Sequence, residues 1–277
     1  MRIRRGFWGC LLIGIAAGFI RTFEYLFTID YQGYYLPTAA ASFLNGALVG
    51  LLVVGFIWSM IFGVALKETQ GEGKKLIGGE AHLRPYFSVI GVVTIAIGIA
   101  RLFLGNRLAL ISGIACILGG LGWWMAGRAK KQLGAAALLP TLYIVARIVI
   151  YFWETYKLIH ISGHILETLA LCAQALLTLL VMKLLAGADV SRERLTRAAL
   201  WSILLTPAAN LAPLVCLLKF GFQPETLFSA IFALAYMLMS IQLLSSLNWR
   251  ITHPEQEEEQ AEDYPSSLPL DTDDFRF

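Results

Sequence analysis

Residues 42–66 read SFLNGALVGLLVVGFIWSMIFGVAL, a run without Asp, Glu, Lys or Arg that ends only at Lys67 and Glu68. A bilayer core about 30 Å thick takes about 20 apolar residues to cross as a helix. This run exceeds that length, so it reads as a membrane span. Working outward, comparable apolar runs recur at about 7–27, 86–105, 108–127, 135–155, 165–187, 198–218 and 225–248. Short connectors with Gly, Pro and charge separate them, as expected where the backbone must meet water. The pattern predicts an all-α, polytopic transmembrane helical bundle of about eight spans. The third and fourth runs are joined by little more than Gly105, Asn106 and Arg107. We expect a tight hairpin there; a merged or re-entrant segment is the competing reading.

Composition agrees. Of the 277 residues, 57% are hydrophobic and 15% charged, against about 25% charged in an ordinary soluble domain. The length leaves room for about eight spans and little more. Cys10, Cys116, Cys172 and Cys216 all fall inside apolar runs, where they read as small packing residues rather than a disulfide or metal framework. Arg2, Arg4 and Arg5 ahead of an apolar stretch resemble the start of a signal peptide. However, the run continues past Gly18 to about Phe27 without a cleavage site, so an uncleaved first span is expected.

Orientation follows from Lys and Arg. With eight spans, 15 of the 22 fall at the ends and loops on one side. Only Arg107, Lys157 and Lys219 fall on the other, and Arg21, Arg101, Arg147 and Lys183 lie within spans. Cytoplasmic loops carry the positive excess, so both termini are expected in the cytoplasm and the protein in a cell membrane as a multi-pass component. The net charge of +3 is accounted for by this distribution, and no nucleic-acid partner is implied. Trp8, Tyr25, Tyr34, Tyr35, Trp123, Trp124, Trp153, Trp201 and Trp249 fall near the expected interfaces, as belt aromatics do, while Trp58 lies deeper as the exception. Gly14 with Gly18, and Gly46 with Gly50, have the spacing that lets helices approach closely.

The chain divides into a bundle over 1–250 and an acidic tail over 251–277. The tail holds nine Asp and Glu with Pro254, Pro265 and Pro269. It is expected to be disordered, and it is the candidate docking segment for a protein partner.

Arg21, Arg101 and Arg147 lie in odd-numbered spans, each about 18–23 Å from the cytoplasmic end. They therefore reach similar depth in the outer half. Charges inside spans usually face the bundle interior or a water-filled cavity and find partners. Acidic residues on the same side include Glu24, Glu154 and Glu167, and Glu24 lies about one turn beyond Arg21. One reading is an outward-facing pocket in which the arginines hold a carboxylate or phosphate. The other is structural: snorkelling, intrahelical pairs, or a network that fixes packing.

His160, His164 and Glu167 would share one helical face and suit zinc. Gly163 and the loop context weaken that reading, and a polar helix entrance is the alternative. Pro207 and Pro213 flank Asn210 in the seventh span. They predict a kink or unwinding near mid-membrane, the kind of site where transporters expose backbone groups. Pro140 is a further kink candidate. No phosphate-binding glycine loop, nucleophile elbow or paired-cysteine motif occurs, so neither a catalytic constellation nor a cofactor is indicated.

Residues 21–35, from Arg21 through Asp30 and Gly33 to Tyr34 and Tyr35, resemble the end of the first span in uncharacterised multi-pass membrane proteins of clostridia-like Gram-positive bacteria. These show an Arg, an apolar run, then Asp and Gly followed by aromatics. The resemblance implies a bacterial cell membrane and carries no activity. Together these readings predict a protein that binds or transports a small anionic solute through Arg21, Arg101, Arg147, Glu24, Glu154, Glu167 and Asn210. The alternative is a non-catalytic membrane subunit or scaffold whose acidic tail recruits a partner.

Overall fold

In hydrocarbon an apolar segment must satisfy its backbone internally, and the structure, a computed structural model, answers with helices throughout. It describes residues 2–28, 39–64, 83–104, 107–128, 134–155, 162–186, 188, 190–220 and 224–252. Among these residues run α1 (Arg2–Thr28), α2 (Ala39–Val64), α3 (Arg84–Leu102), α4 (Arg107–Arg128), α5 (Leu138–Thr155), α6 (Ser162–Leu185), α7 (Arg192–Phe220) and α8 (Pro224–Thr252). Each of the eight, α5 together with the 3-10 turn at Gly134–Ala137 that leads into it, contains a stretch of 19 to 25 residues long and apolar enough to cross a membrane. The chain is an all-α, multi-pass integral membrane protein. The third and fourth runs are separate helices of spanning length, so the hairpin reading holds and the merged one falls. The acidic tail lies outside the described residues.

The packing is set by glycines rather than by amphipathic faces. α3 and α4 make the most extensive helix pair, antiparallel and in backbone contact at two levels seven residues apart. A Cβ on Gly98 would lie 2.8 Å from the Gly113 carbonyl oxygen, and one on Gly91 would lie 2.8 Å from that of Gly120. Gly14 and Gly18 of α1 do the same against α7. A Cβ there would meet the Leu204 oxygen at 2.4 Å and the Pro207 oxygen at 2.7 Å. Gly46 and Gly50 behave differently: among the described residues nothing lies within 4 Å of either, so no described helix packs closely on this pair.

Two expectations about proline are corrected. α7 continues as one α-helix through Pro207 and Pro213, so the expected unwinding does not occur; Gly14 and Gly18 of neighbouring α1 pack directly on this turn. α5 begins at Leu138 after a 3-10 turn at Gly134–Ala137. Pro140 thus sits in the first α-helical turn, where its missing N–H removes nothing the helix needs.

α7 is the axis of the bundle, packed against α1, α2, α6 and α8. Its contact with α2 is pinned where Trp201 Nε1 donates to Ser59 Oγ at 2.7 Å. Across the other half, Trp123 of α4 meets Tyr236 of α8 edge to face at 6.0 Å, and the Tyr236 hydroxyl lies 3.0 Å from Thr178 Oγ1 of α6. Both rings are fully buried. The outside is apolar: Phe43, Val49, Val53, Ile57 and Ile61 of α2, together with Phe103 and Phe152, project outward as lipid-facing side chains. Cys10 and Cys116 are buried as expected. Cys172 instead faces outward from α6, because its position falls on the opposite side of that helix from Leu171 and Gln174.

Candidate functional site

Four helices converge on one polar cleft near the end of the bundle opposite Arg2. α5 contributes Arg147 and Tyr151; α6 Glu167, Ala170, Leu171 and Gln174; α7 Asn210; α8 Ser229 and Ala233. The spacings of four on α5 and α8, and of three, four and seven on α6, are those of single helical faces. At 1.5 Å per residue, Glu167 lies about 8 Å from the start of α6 and Arg147 about 12 Å from the end of α5. The cleft therefore sits inward of the helix ends, within the apolar stretches of α5 and α6.

Arg147 organises it. Its Nη2 donates to Ser229 Oγ at 3.0 Å, and the guanidinium lies 4.1 Å from the centroid of the Phe232 ring. The side chain thus bridges α5 to α8, supported by an edge-to-face contact of Tyr143 with Phe232 at 5.7 Å. Its buried Nη1 has no hydrogen-bond partner among the described residues. Gln174 is 2% exposed, and its Oε1 likewise finds no partner there. An unmet buried donor and an unmet buried acceptor in one cleft are each costly, by about 1–3 kcal/mol and more for a charged group. Asn210 turns its Nδ2 to the Thr206 carbonyl at 2.9 Å, which leaves the amide oxygen as its remaining polar atom. Glu167 is half-buried on the same wall, and among the described residues it forms no ion pair with Arg147.

The cleft encloses about 300 Å³ between these side chains, of which about 20 Å³ accepts the centre of a water molecule. The smaller figure decides what fits, since the larger includes space open to the surroundings. In this conformation there is room for one or a few waters. Arg147 spans the seam between α5 and α8 beside this space.

Of the seven residues singled out from sequence, Arg147, Glu167 and Asn210 come together here. Arg21 instead pairs with Glu24 within α1, both essentially buried, and its guanidinium also lies 4.7 Å from the centroid of the Tyr25 ring. Arg101 donates to Ser112 Oγ across the α3–α4 hairpin. Neither arginine lines the cleft. The Glu154 side chain lies outside the described residues, as do His160 and the His164 side chain; among the described residues no three His, Cys, Asp or Glu converge as metal ligands. Sequence reading missed Gln174, although a lone amide seven residues beyond Glu167 in an apolar span was a usable sign. It also missed Ser229 and Tyr151, which nothing in the linear pattern distinguishes.

A second, larger and more apolar groove opens at the other end of the bundle between α1 and α8; it spans about 600 Å³, of which about 260 Å³ accepts the centre of a water molecule, and is lined by Arg4, Phe7, Trp8, Ile241, Leu244 and Ser245. Compared with known proteins, the chain matches no family model, no curated protein and no solved structure.

Proposed function

We propose that the protein binds a small solute bearing an anionic group in the cleft of α5–α8 and passes it across the membrane. The observation that carries this reading is Arg147, whose buried Nη1 is left without a protein partner inside a cleft that also holds Glu167, Gln174 and Asn210. A guanidinium held on one side by Ser229 and Phe232 is already oriented, so little freedom remains to be lost when a carboxylate docks on the other. The positive-inside distribution supports a cleft in the outer half of the bilayer. Its small volume supports an occluded state, with opening between α5 and α6 required for exchange.

The reading narrows the anion contact to Arg147. Arg21 and Arg101 serve helix packing, through Glu24 and Ser112. Those two ties favour the second reading, a membrane scaffold, for the part of the bundle around α1, α3 and α4. A partner recruited by the acidic residues of 251–277 belongs to that alternative.

Thermal unfolding of the detergent-purified protein against a panel of anions, amino acids and nucleosides tests the proposal. Binding predicts selective stabilisation by one class, lost in Arg147→Ala and retained in Arg101→Ala. Stabilisation by no compound, with both variants merely less stable, overturns it and favours the scaffold, for which pull-down with and without residues 254–277 is the direct measurement.

A further inference from the structure

We infer that the solute is a small zwitterion, with a carboxylate and a protonated amine a few bonds apart, as in the smallest amino acids. This rests on the binding reading of the cleft. The wall carries one permanent cation, Arg147, and one carboxylate, Glu167, on facing helices without an ion pair between them. A bare anion drawn to Arg147 would enter a narrow, weakly screened space that already holds a negative charge, and like charges at such range repel strongly. A bare cation meets the same obstacle from Arg147. A zwitterion meets neither, because each of its ends faces an opposite charge and the occupied cleft stays neutral.

The hydrogen-bonding inventory gives the same answer. The unmet donor is Arg147 Nη1 and the unmet buried acceptor is Gln174 Oε1. A carboxylate only accepts and an ammonium only donates, so a carboxylate answers the first and an ammonium the second. Asn210, whose Nδ2 already donates one N–H to the Thr206 carbonyl, adds its amide oxygen as a further acceptor on the cleft wall. Size is bounded by the walls. The closed cleft has room for only one or a few waters, so a short backbone, which asks the helices to part least, fits better than a bulky substituent.

The test is calorimetric titration of the purified full-length chain in detergent with glycine, L-alanine, β-alanine, acetate and methylammonium at matched ionic strength. Wild type, Glu167→Gln and Gln174→Leu are compared after each is shown to retain wild-type helicity and monodisperse elution. Expected is binding of at least one zwitterion, with acetate and methylammonium at least 10-fold weaker. Each substitution should weaken the zwitterion about 10-fold or more, and Glu167→Gln should bring acetate closer to it by removing the competing negative charge. Acetate binding as tightly as the zwitterions in wild type overturns the inference while leaving an anion site in place. Binding of none of the five compounds, in a protein that also responds to no larger anion, overturns both. Equal zwitterion affinity in wild type and both variants overturns the inference as well, since neither acceptor would then touch the amine.

Discussion

Replacing Gly14 by Ala adds a single methyl group at the place where α1 lies closest to α7. That methyl would sit 2.4 Å from the Leu204 carbonyl oxygen, 2.9 Å from Pro207 Cγ and 3.1 Å from the Leu204 carbonyl carbon. Ordinary contact begins near 3.4 Å, so α1 must retreat by about 1 Å from a backbone that cannot step aside. Overpacking of this kind costs about 1–3 kcal/mol. Separation also weakens the Cα–H···O contacts between the two helices, worth about 0.5–1 kcal/mol each. Against this, Ala regains about 0.5–1 kcal/mol of helix propensity over Gly. The net expectation is a loss of about 2 kcal/mol, roughly 30-fold in the folding equilibrium. Gly46→Ala is the matched control, since it has the same chemistry and the same four-residue spacing to a second glycine but open space around it. It should be neutral or stabilising by up to about 1 kcal/mol. Reversible unfolding in mixed micelles titrated with SDS, followed by circular dichroism, measures both. Gly14→Ala as stable as wild type, or Gly46→Ala equally destabilised, would refute the α1–α7 register on which the argument depends.

Other expectations follow from the same packing. Arg21→Ala leaves the Glu24 carboxylate buried without its ion-pair partner and should destabilise by about 3–5 kcal/mol, whereas Arg21→Met with Glu24→Leu should recover most of that loss in the same unfolding assay. Trp201→Phe removes the 2.7 Å hydrogen bond to Ser59 between α7 and α2 and should cost about 1–2 kcal/mol by unfolding, with the solute response unchanged. Arg147→Lys keeps the charge but replaces the planar fork that lies against Phe232; solute affinity, read by thermal shift, should fall about 10-fold or more with little loss of stability. A reporter active only outside the cytoplasm should be active when fused after residue 157 and inactive after residue 131, as the alternation of basic loops requires.

How much of this was legible in the linear chain depends on the physical scale of each feature. The existence, number and approximate ends of the helices are local matters: any run of this length and apolarity must close its own backbone hydrogen bonds in lipid. The α3–α4 hairpin was readable for the same reason, because Gly105 to Arg107 interrupts two runs each long enough to cross. The intrahelical pair of Arg21 with Glu24 was also readable, since three residues on a helix fix the geometry without help from the rest of the bundle. The effect of the prolines was not. Whether Pro207 unwinds α7 depends on what lies against it, and the two glycines of α1 pack on that turn.

What the sequence by itself determined is therefore the class of protein, its eight spans and the charge asymmetry between their two ends. Only the tertiary structure decided which polar residues meet. Helices that are apolar all round carry no amphipathic stripe to say which side turns inward, and lipid does not favour one apolar face over another. Rotation about each helix axis is settled instead by close backbone contacts such as Gly98 with Gly113 and Gly14 with Leu204. While Arg147, Glu167, Gln174 and Asn210 line the cleft of α5–α8, those contacts set the α3–α4 and α1–α7 pairs. They leave Arg101 on the α3–α4 hairpin with Ser112 and Arg21 with Glu24 on α1, so arginines that look equivalent in sequence end in different places.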